Sequence, residues 1–372
     1  MNDFFDYLLW RGDLDFSTSP FNDVDALIFT QLVYLDFSGL LPSPFGETVT
    51  LKELSARFRG AEDFEMRSDV GLIINERCVD LLFVCAATER FGAVRVGGYV
   101  NKCNARIEEQ FSAAFFFADN FCFVSFCGTD DTLVGWKEDF NLACLEKIPA
   151  QEDALSYLKK AVRLGLPVLV GGHSKGGNLA IYAAAHLSDD EKRHVSAVYN
   201  FDGPGFSQKA LESAEFKAIE KKTKSFFPQF SVIGMMFRHF KTFSVVRSGQ
   251  KFVRQHDPFS WFVGPRSLVT QEKLDRGSRR FHLTFNTWFE KLSPEKRSEF
   301  VDTFFGVLKL PTAESLSELT EHWAKNSFHI VKAIASLDSD TRKSTLHTVL
   351  SILKEAGAEL SEVFSETRHV PS

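Results

Sequence analysis

Residues 166–183 read Leu-Pro-Val-Leu-Val-Gly-Gly-His-Ser-Lys-Gly-Gly-Asn-Leu-Ala-Ile-Tyr-Ala, which sets Ser174 between Gly172 and Gly176. A short apolar run ends at the serine and an alanine-rich amphipathic stretch begins after it. When a strand must turn into a helix at a single residue, that residue takes a strained backbone conformation, and side chains two positions to either side would strike the neighbouring strand and helix. The turn lifts the Ser174 hydroxyl above the sheet edge. It also sets it at the positive N-terminal end of the following helix, where an oxyanion is stabilised. The chemistry this suits is nucleophilic attack on an acyl carbon. An ordinary glycine-rich loop shares the three fixed positions, so the strand before and the helix after carry the functional reading.

A second stretch, Phe126-Cys127-Gly128-Thr129-Asp130-Asp131-Thr132-Leu133-Val134-Gly135-Trp136-Lys137-Glu138-Asp139, ends a predicted strand. It resembles the strand-end segment of class 3 lipases, in which a Thr or Ser after Phe-Arg-Gly helps form the oxyanion hole. The resemblance implies that the Thr129 N–H and hydroxyl, with the Lys175 backbone N–H, hold the developing oxyanion. Two such donors contribute about 3–4 kcal/mol each to the transition state. Cys127 stands where those lipases carry Arg.

More of the chain is similar to a narrower group. Asp6-Tyr7-Leu8-Leu9-Trp10-Arg11-Gly12-Asp13, Gly172-His173-Ser174-Lys175-Gly176-Gly177-Asn178-Leu179-Ala180, Phe201-Asp202-Gly203-Pro204-Gly205-Phe206 and Gln255-His256-Asp257-Pro258-Phe259-Ser260-Trp261 resemble an uncharacterised bacterial family of the α/β-hydrolase superfamily. The likeness spans about residues 1–300. It implies the fold and no particular substrate.

Hydrolases of this superfamily order their triad as Ser, then Asp or Glu, then His. Two assignments satisfy that order. In one, Asp202 orients His256, which deprotonates Ser174. In the other, Asp257 is the acid and His282 or a later histidine is the base. His256 and Asp257 are not expected to serve each other, because adjacent side chains in an extended loop diverge. His173 is expected to pack beneath the turn, and Phe259 and Trp261 to pack the loop that positions His256. His186, His194, His239, His322, His329, His347 and His369 read as surface or helix-face residues.

The elements that must position these groups follow from the apolar patterning. Helices are expected over 23–40, 69–79, 151–163 and 175–187. Strands are expected at 94–99, 113–117, 122–127, 167–171, 195–201 and 242–247. The early strands suggest antiparallel pairing, and the later alternation of helix and strand implies parallel pairing with right-handed crossovers. The expected class is α/β, an α/β-hydrolase fold with a mostly parallel sheet flanked by helices. It would occupy residues 1–290, with a helical region over 291–372 and a candidate cap over 207–240.

The chain is 372 residues long with 44% hydrophobic and 25% charged residues, enough for a large core. Its 39 phenylalanines read mainly as core filler. A formal net charge of −6 does not suggest nucleic-acid binding. The segment 217–254 is locally basic, with Lys217, Lys221, Lys222, Lys224, Arg238, Lys241, Arg247, Lys251 and Arg254 against Glu220. Such a segment could cover Ser174 or touch an anionic membrane surface, or it could be an amphipathic pair whose Phe and Met residues join the core. The six cysteines have no zinc-ligand spacing and read as reduced. No secretory signal or membrane-spanning run is apparent, which points to the cytoplasm.

The expected function is a lipase- or esterase-like serine hydrolase acting on a small-molecule or lipid ester or thioester through an acyl-enzyme, without metal or cofactor. The competing expectation is a catalytically degenerate hydrolase fold that serves as a binding or scaffold module.

Overall fold

The computed structural model describes residues 2–42, 47–70, 74–104, 109–129, 148–231, 233–276 and positions 278, 279, 282 and 286. The helices expected over 291–372 and the Trp136 to Asp139 stretch lie outside these residues. Period-two apolar segments build one sheet of nine strands that lie side by side in sequence order. They are β1 (Val49–Thr50), β2 (Arg95–Asn104), β3 (Glu109–Ala118), β4 (Phe121–Phe126), β5 (Val168–His173), β6 (Val195–Phe201), β7 (Thr223–Pro228), β8 (Ser244–Val246) and β9 (Thr270–Gln271).

Strands β4 to β8 pair in parallel, whereas β1 to β4 and the β8–β9 pair are antiparallel. The expectation of a mostly parallel sheet is thereby corrected, since half of the pairings among the described residues are antiparallel. The cause is local, because the Asp119-Asn120 turn joins β3 to β4 with no room for a crossover. Strand β7, which the basic reading of 217–254 passed over, is a sheet strand buried over its last four residues. Its sequence Thr-Lys-Ser-Phe-Phe-Pro is apolar only at that buried end.

The described helices of eight residues or more are α1 (Phe4–Arg11), α2 (Asp23–Leu32), α3 (Leu51–Arg59), α4 (Arg77–Ala86), α5 (Pro149–Val162) and α6 (Lys175–Ala185), and two short ones, Gln208–Glu212 and Ala214–Glu220, precede β7. Asp3, Asn22 and Thr50 cap the first three through reciprocal bonds with Asp6, Asp25 and Glu53. The helix expected over 69–79 sits further on as α4, whose Cys78, Leu81, Leu82 and Cys85 share one buried face. Among the described residues no helix is long and apolar enough to cross a membrane.

Alternate residues of the central strands feed two separate cores. Ala113, Phe115, Cys122, Val124 and Phe126 face a cluster with Ala154 and Leu158 of α5, Leu179 and Ala183 of α6, and Phe216 and Ile219. Ala114, Phe116, Phe121 and Phe123 face the opposite cluster, with Phe4, Leu27, Phe29, Leu54 and Leu81 from α1 to α4. Parallel strands laid down in sequence order with right-handed crossovers place every crossover helix on the same face. Residues 3–92 therefore cover the other face. Rings pack closely there, Phe29 against Phe116 at 4.6 Å and Phe21 against Phe121 at 4.8 Å. Most of the described phenylalanines are core filler or pack against the core, and Phe243 is the one among the exposed large apolar residues described.

This covering layer is pinned by a buried ion pair. Arg90 donates to Asp25 through Nε at 2.8 Å and through a terminal nitrogen at 2.6 Å, with both side chains fully buried. It also donates to the carbonyls of Leu14 and Ser19, and its guanidinium lies 4.2 Å from the Phe16 ring centroid. Tyr7 donates its hydroxyl to Asp25 at 2.7 Å, and burial pushes that phenol far above its usual pKa, so it remains a donor. Removing one member of such a pair strands the other in a dry interior. Arg90→Met is expected to lower the unfolding free energy by about 3–5 kcal/mol. Urea denaturation will read this, and a loss below about 1 kcal/mol would show that the pair does not hold the layer.

Candidate active site

Strand β5 runs between β4 and β6 and stops at His173. Ser174 turns the chain with φ 55° and ψ −131°, and α6 starts at the next residue. The turn is possible because the neighbours at two positions are glycine. A Cβ on Gly172 would lie 2.2 Å from the Gly176 carbonyl carbon, and one on Gly176 would lie 2.2 Å from the Phe126 carbonyl oxygen. The strained turn read from the sequence is thus present. Asp202, at the end of β6, also has positive φ, 52°. Each such non-glycine residue costs on the order of 1–3 kcal/mol and persists only when its surroundings hold it.

Here two hydrogen bonds do the holding. Ser174 N–H donates to the Phe201 carbonyl at 2.9 Å, and Asp202 N–H donates to the Phe226 carbonyl at 2.8 Å. The ends of β5, β6 and β7 are therefore locked in register, with the serine and the carboxylate at the same edge of the sheet. The Asp202 carboxylate is fully buried and shares its oxygens between two donors. Ser231 Oγ donates to Oδ1 at 2.5 Å, and His256 Nδ1 lies 2.6 Å from Oδ2. With Nδ1–H committed to the carboxylate, Nε2 of the ring carries the lone pair. The His256 side chain is 23% exposed while Asp202 is shut from solvent.

Of the two acid and base pairs allowed by sequence order, the structure brings Asp202 and His256 together. Asp257 is engaged elsewhere, accepting from Asn75 at 2.8 Å and from the Phe259 N–H at 3.0 Å, and burial raises its pKa. His282 Nδ1 lies 2.8 Å from the Met235 carbonyl. The alternative pair Asp257 and His282 is not joined, because each side chain serves to fasten a loop.

The loop that carries His256 is held by the residues expected to pack it. Trp261 is fully buried and donates from Nε1 to the Gln255 carbonyl at 2.7 Å, while the Gln255 side chain accepts from Phe230 N–H. Phe259 packs edge-on against Phe4 at 5.0 Å.

Thr129 is buried three residues beyond the end of β4. Its neighbour Gly128 lies against the serine, since a Cβ there would be 3.2 Å from Ser174 Cβ. Lys175 opens α6, so its N–H belongs to the first turn, where helix donors have no intrahelical acceptor. Its side chain is buried and its ammonium donates to the main-chain and side-chain oxygens of Gln110 at 2.8 and 2.6 Å. This anchor to β3 was not expected from the sequence.

Ser231 was also missed. It lies in the Phe226 to Phe237 run that was read as part of a candidate cap. The stretch 207–240 supplies strand β7 and then a turn that brings Ser231 to Asp202, with Met235, Met236 and Phe240 buried. Of the basic residues there, Lys222 caps the Lys192 and Val195 carbonyls and Lys224 pairs with Asp23. Among the described residues no His, Cys, Asp or Glu cluster could hold a metal ion.

His173 is buried beneath the turn as expected, with its ring 4.5 Å from that of His256. Burial, helped by the neighbouring His256, holds its pKa well below the usual 6.5. Burial likewise pushes His239 down to about 3. Both rings are neutral in the fold and bind a proton in the unfolded chain below pH ~6.5. Stability is therefore complete above that pH and falls as pH drops through it, by up to ~1.4 kcal/mol per pH unit for each ring. Urea denaturation between pH 7.5 and 5 is expected to show this slope, reduced in His173→Gln. An unchanged slope in that variant would place the proton uptake elsewhere.

No curated protein matches the chain. The crystal structure of M37 lipase is similar to it with a TM-score of 0.33 and 14% identity, over 56% of this chain and 67% of that one. The family model of the Mbeg1-like family matches residues 85–306, a stretch that holds Thr129, Ser174, Asp202, Ser231 and His256. With more than half of its length in that match, the chain belongs to the Mbeg1-like family.

Proposed function

We propose that the protein is a serine hydrolase of the α/β-hydrolase type that cleaves a carboxylic ester or thioester. The observation that carries this reading is the 2.6 Å bond from His256 Nδ1 to a fully buried Asp202 carboxylate at the sheet edge where Ser174 makes its strained turn. A buried carboxylate that orients an imidazole and stabilises its cation is what a general base needs.

In this mechanism His256 Nε2 takes the Ser174 proton as Oγ attacks the substrate carbonyl carbon. The carbonyl oxygen becomes an oxyanion, which accepts hydrogen bonds donated by the Lys175 N–H and by the Thr129 N–H and hydroxyl. Collapse breaks the bond to the leaving alcohol or thiol, which receives the proton from His256. Water, deprotonated by the same ring, then attacks the acyl-serine; the acyl–Oγ bond breaks, the ring returns the proton to Ser174 Oγ, and the acid is released. The resemblance of the Cys127-Gly128-Thr129 strand end to class 3 lipases supports the oxyanion assignment. Gly128, placed against Ser174 Cβ, supports it too.

A fluorophosphonate probe tests the proposal. The folded protein is expected to label, with labelling abolished in Ser174→Ala, sharply reduced in His256→Ala and retained in His282→Ala. Asp202→Asn keeps the shape but loses the charge that selects the tautomer, and is expected to slow labelling by about 10³–10⁴-fold. A folded protein that does not label would favour a binding or scaffold role.

A further inference from the structure

Tyr34 lies just after α2, outside the stretch matched by the family, yet its hydroxyl reaches under the nucleophile. Tyr34 Oη is 3.1 Å from His173 Nδ1, and His173 Nε2 is 2.9 Å from the main-chain carbonyl of His256. A carbonyl oxygen can only accept, so Nε2 carries the His173 proton and donates it. Nδ1 is then the lone-pair nitrogen, and the tyrosine O–H donates to it. His173 is buried and held neutral, which leaves the ring one donor and one acceptor, both used.

The space for the tyrosine hydroxyl is provided by Gly128. A Cβ at that position would stand 2.1 Å from Tyr34 Oη, 2.7 Å from the His173 carbonyl oxygen and 3.2 Å from Ser174 Cβ. The hydroxyl thus fills the gap between the strand end that carries Thr129 and the turn that carries Ser174. The ladder runs from an N-terminal residue, through the ring before the nucleophile, to the backbone of the base.

On the reading of Ser174, His256 and Asp202 as a catalytic set, we infer that Tyr34 is a positioning residue for the general base. Its hydroxyl fixes the tautomer of His173, and His173 in that tautomer holds the His256 main chain. Without the hydroxyl, the Nδ1 lone pair is buried without a donor. The ring then turns, or moves its proton to Nδ1 and sets a lone pair against the His256 carbonyl. Either change shifts the base relative to Ser174.

The test uses the full chain and four proteins: wild type, Tyr34→Phe, His173→Phe and the double variant. The fluorophosphonate labelling rate is expected to fall roughly ten- to a hundredfold in Tyr34→Phe, as for a misplacement near 1 Å. The double variant is expected to label no more slowly than His173→Phe, because the hydroxyl then has no ring nitrogen to serve. Wild-type rates in Tyr34→Phe, or multiplicative losses in the double variant, would overturn the inference. Imidazole ¹⁵N spectra give a readout that does not need activity. Wild-type His173 is expected to show the Nε2–H tautomer at pH 7, and a proton on Nδ1 or a charged ring would refute the ladder even if every variant failed to fold. Absence of labelling in a wild type that shows the expected tautomer would count against the hydrolase reading and leave the ladder standing.

Discussion

Five parallel strands in sequence order impose a constraint that the rest of the molecule answers. Each crossover from β4 to β8 has the same hand and so packs on the same side of the sheet. One face is filled by α5, α6 and the short helices before β7. The other would present Phe116, Phe123, Tyr199 and Phe201 to water if nothing lay on it. The N-terminal helices are that cover, and their own polar needs are met inside it: Asp25 accepts from the N–H of Asn22, the cap of α2, receives Tyr7 and pairs with Arg90. A cover made from a separate stretch of chain also reaches the sheet edge. This is why Tyr34 and Asn75 touch the segments around Ser174 and His256.

The strained turn at Ser174 was legible because its requirements are local. The strained serine needs glycine at 172 and 176, an apolar strand before and a helix after, and each of these is written within a few residues. The partners proposed for it were not, since sequence order admits both Asp202 with His256 and Asp257 with His282 or a later histidine. What separates the pairs is the register of β5, β6 and β7. That register brings the end of β6 to the serine and leaves Asp257 to fasten Asn75 and the Phe259 turn. Ser231 and Tyr34 had no signal at all, because a hydroxyl acquires a role only from what folds against it. Strand β7 was hidden by the lysines at its start, Lys222 just before it and Lys224 within it, which bind neighbouring parts of the fold.

The polar groups of the site are spread unequally between water and protein. Asp202 has no exposed surface, Ser174 and Thr129 are nearly buried, and His256 keeps about a quarter of its side chain open. In a low-dielectric setting each fixed donor acts more strongly than in water, and an orphaned one costs more. The Ser231 hydroxyl on Asp202 and the Gln110 oxygens on Lys175 are the responses to that cost. They also restrict motion, since a carboxylate with both oxygens bound has no second position.

The bonds that close the N-terminal cover join distant parts of the chain. Tyr34 meets His173 across 139 positions, Asn75 meets Asp257 across 182, and Arg11 meets the Pro265 carbonyl across 254. During synthesis the cover emerges first, with its apolar faces exposed, and waits for a sheet that the ribosome has not yet made. Contacts of such separation must bear the entropy of closing long loops before they return any energy, which makes folding slow and leaves intermediates open to aggregation. The cover that closes against the sheet therefore also delays folding, while Asp202 and His256, 54 positions apart, sit within the stretch that is made after it.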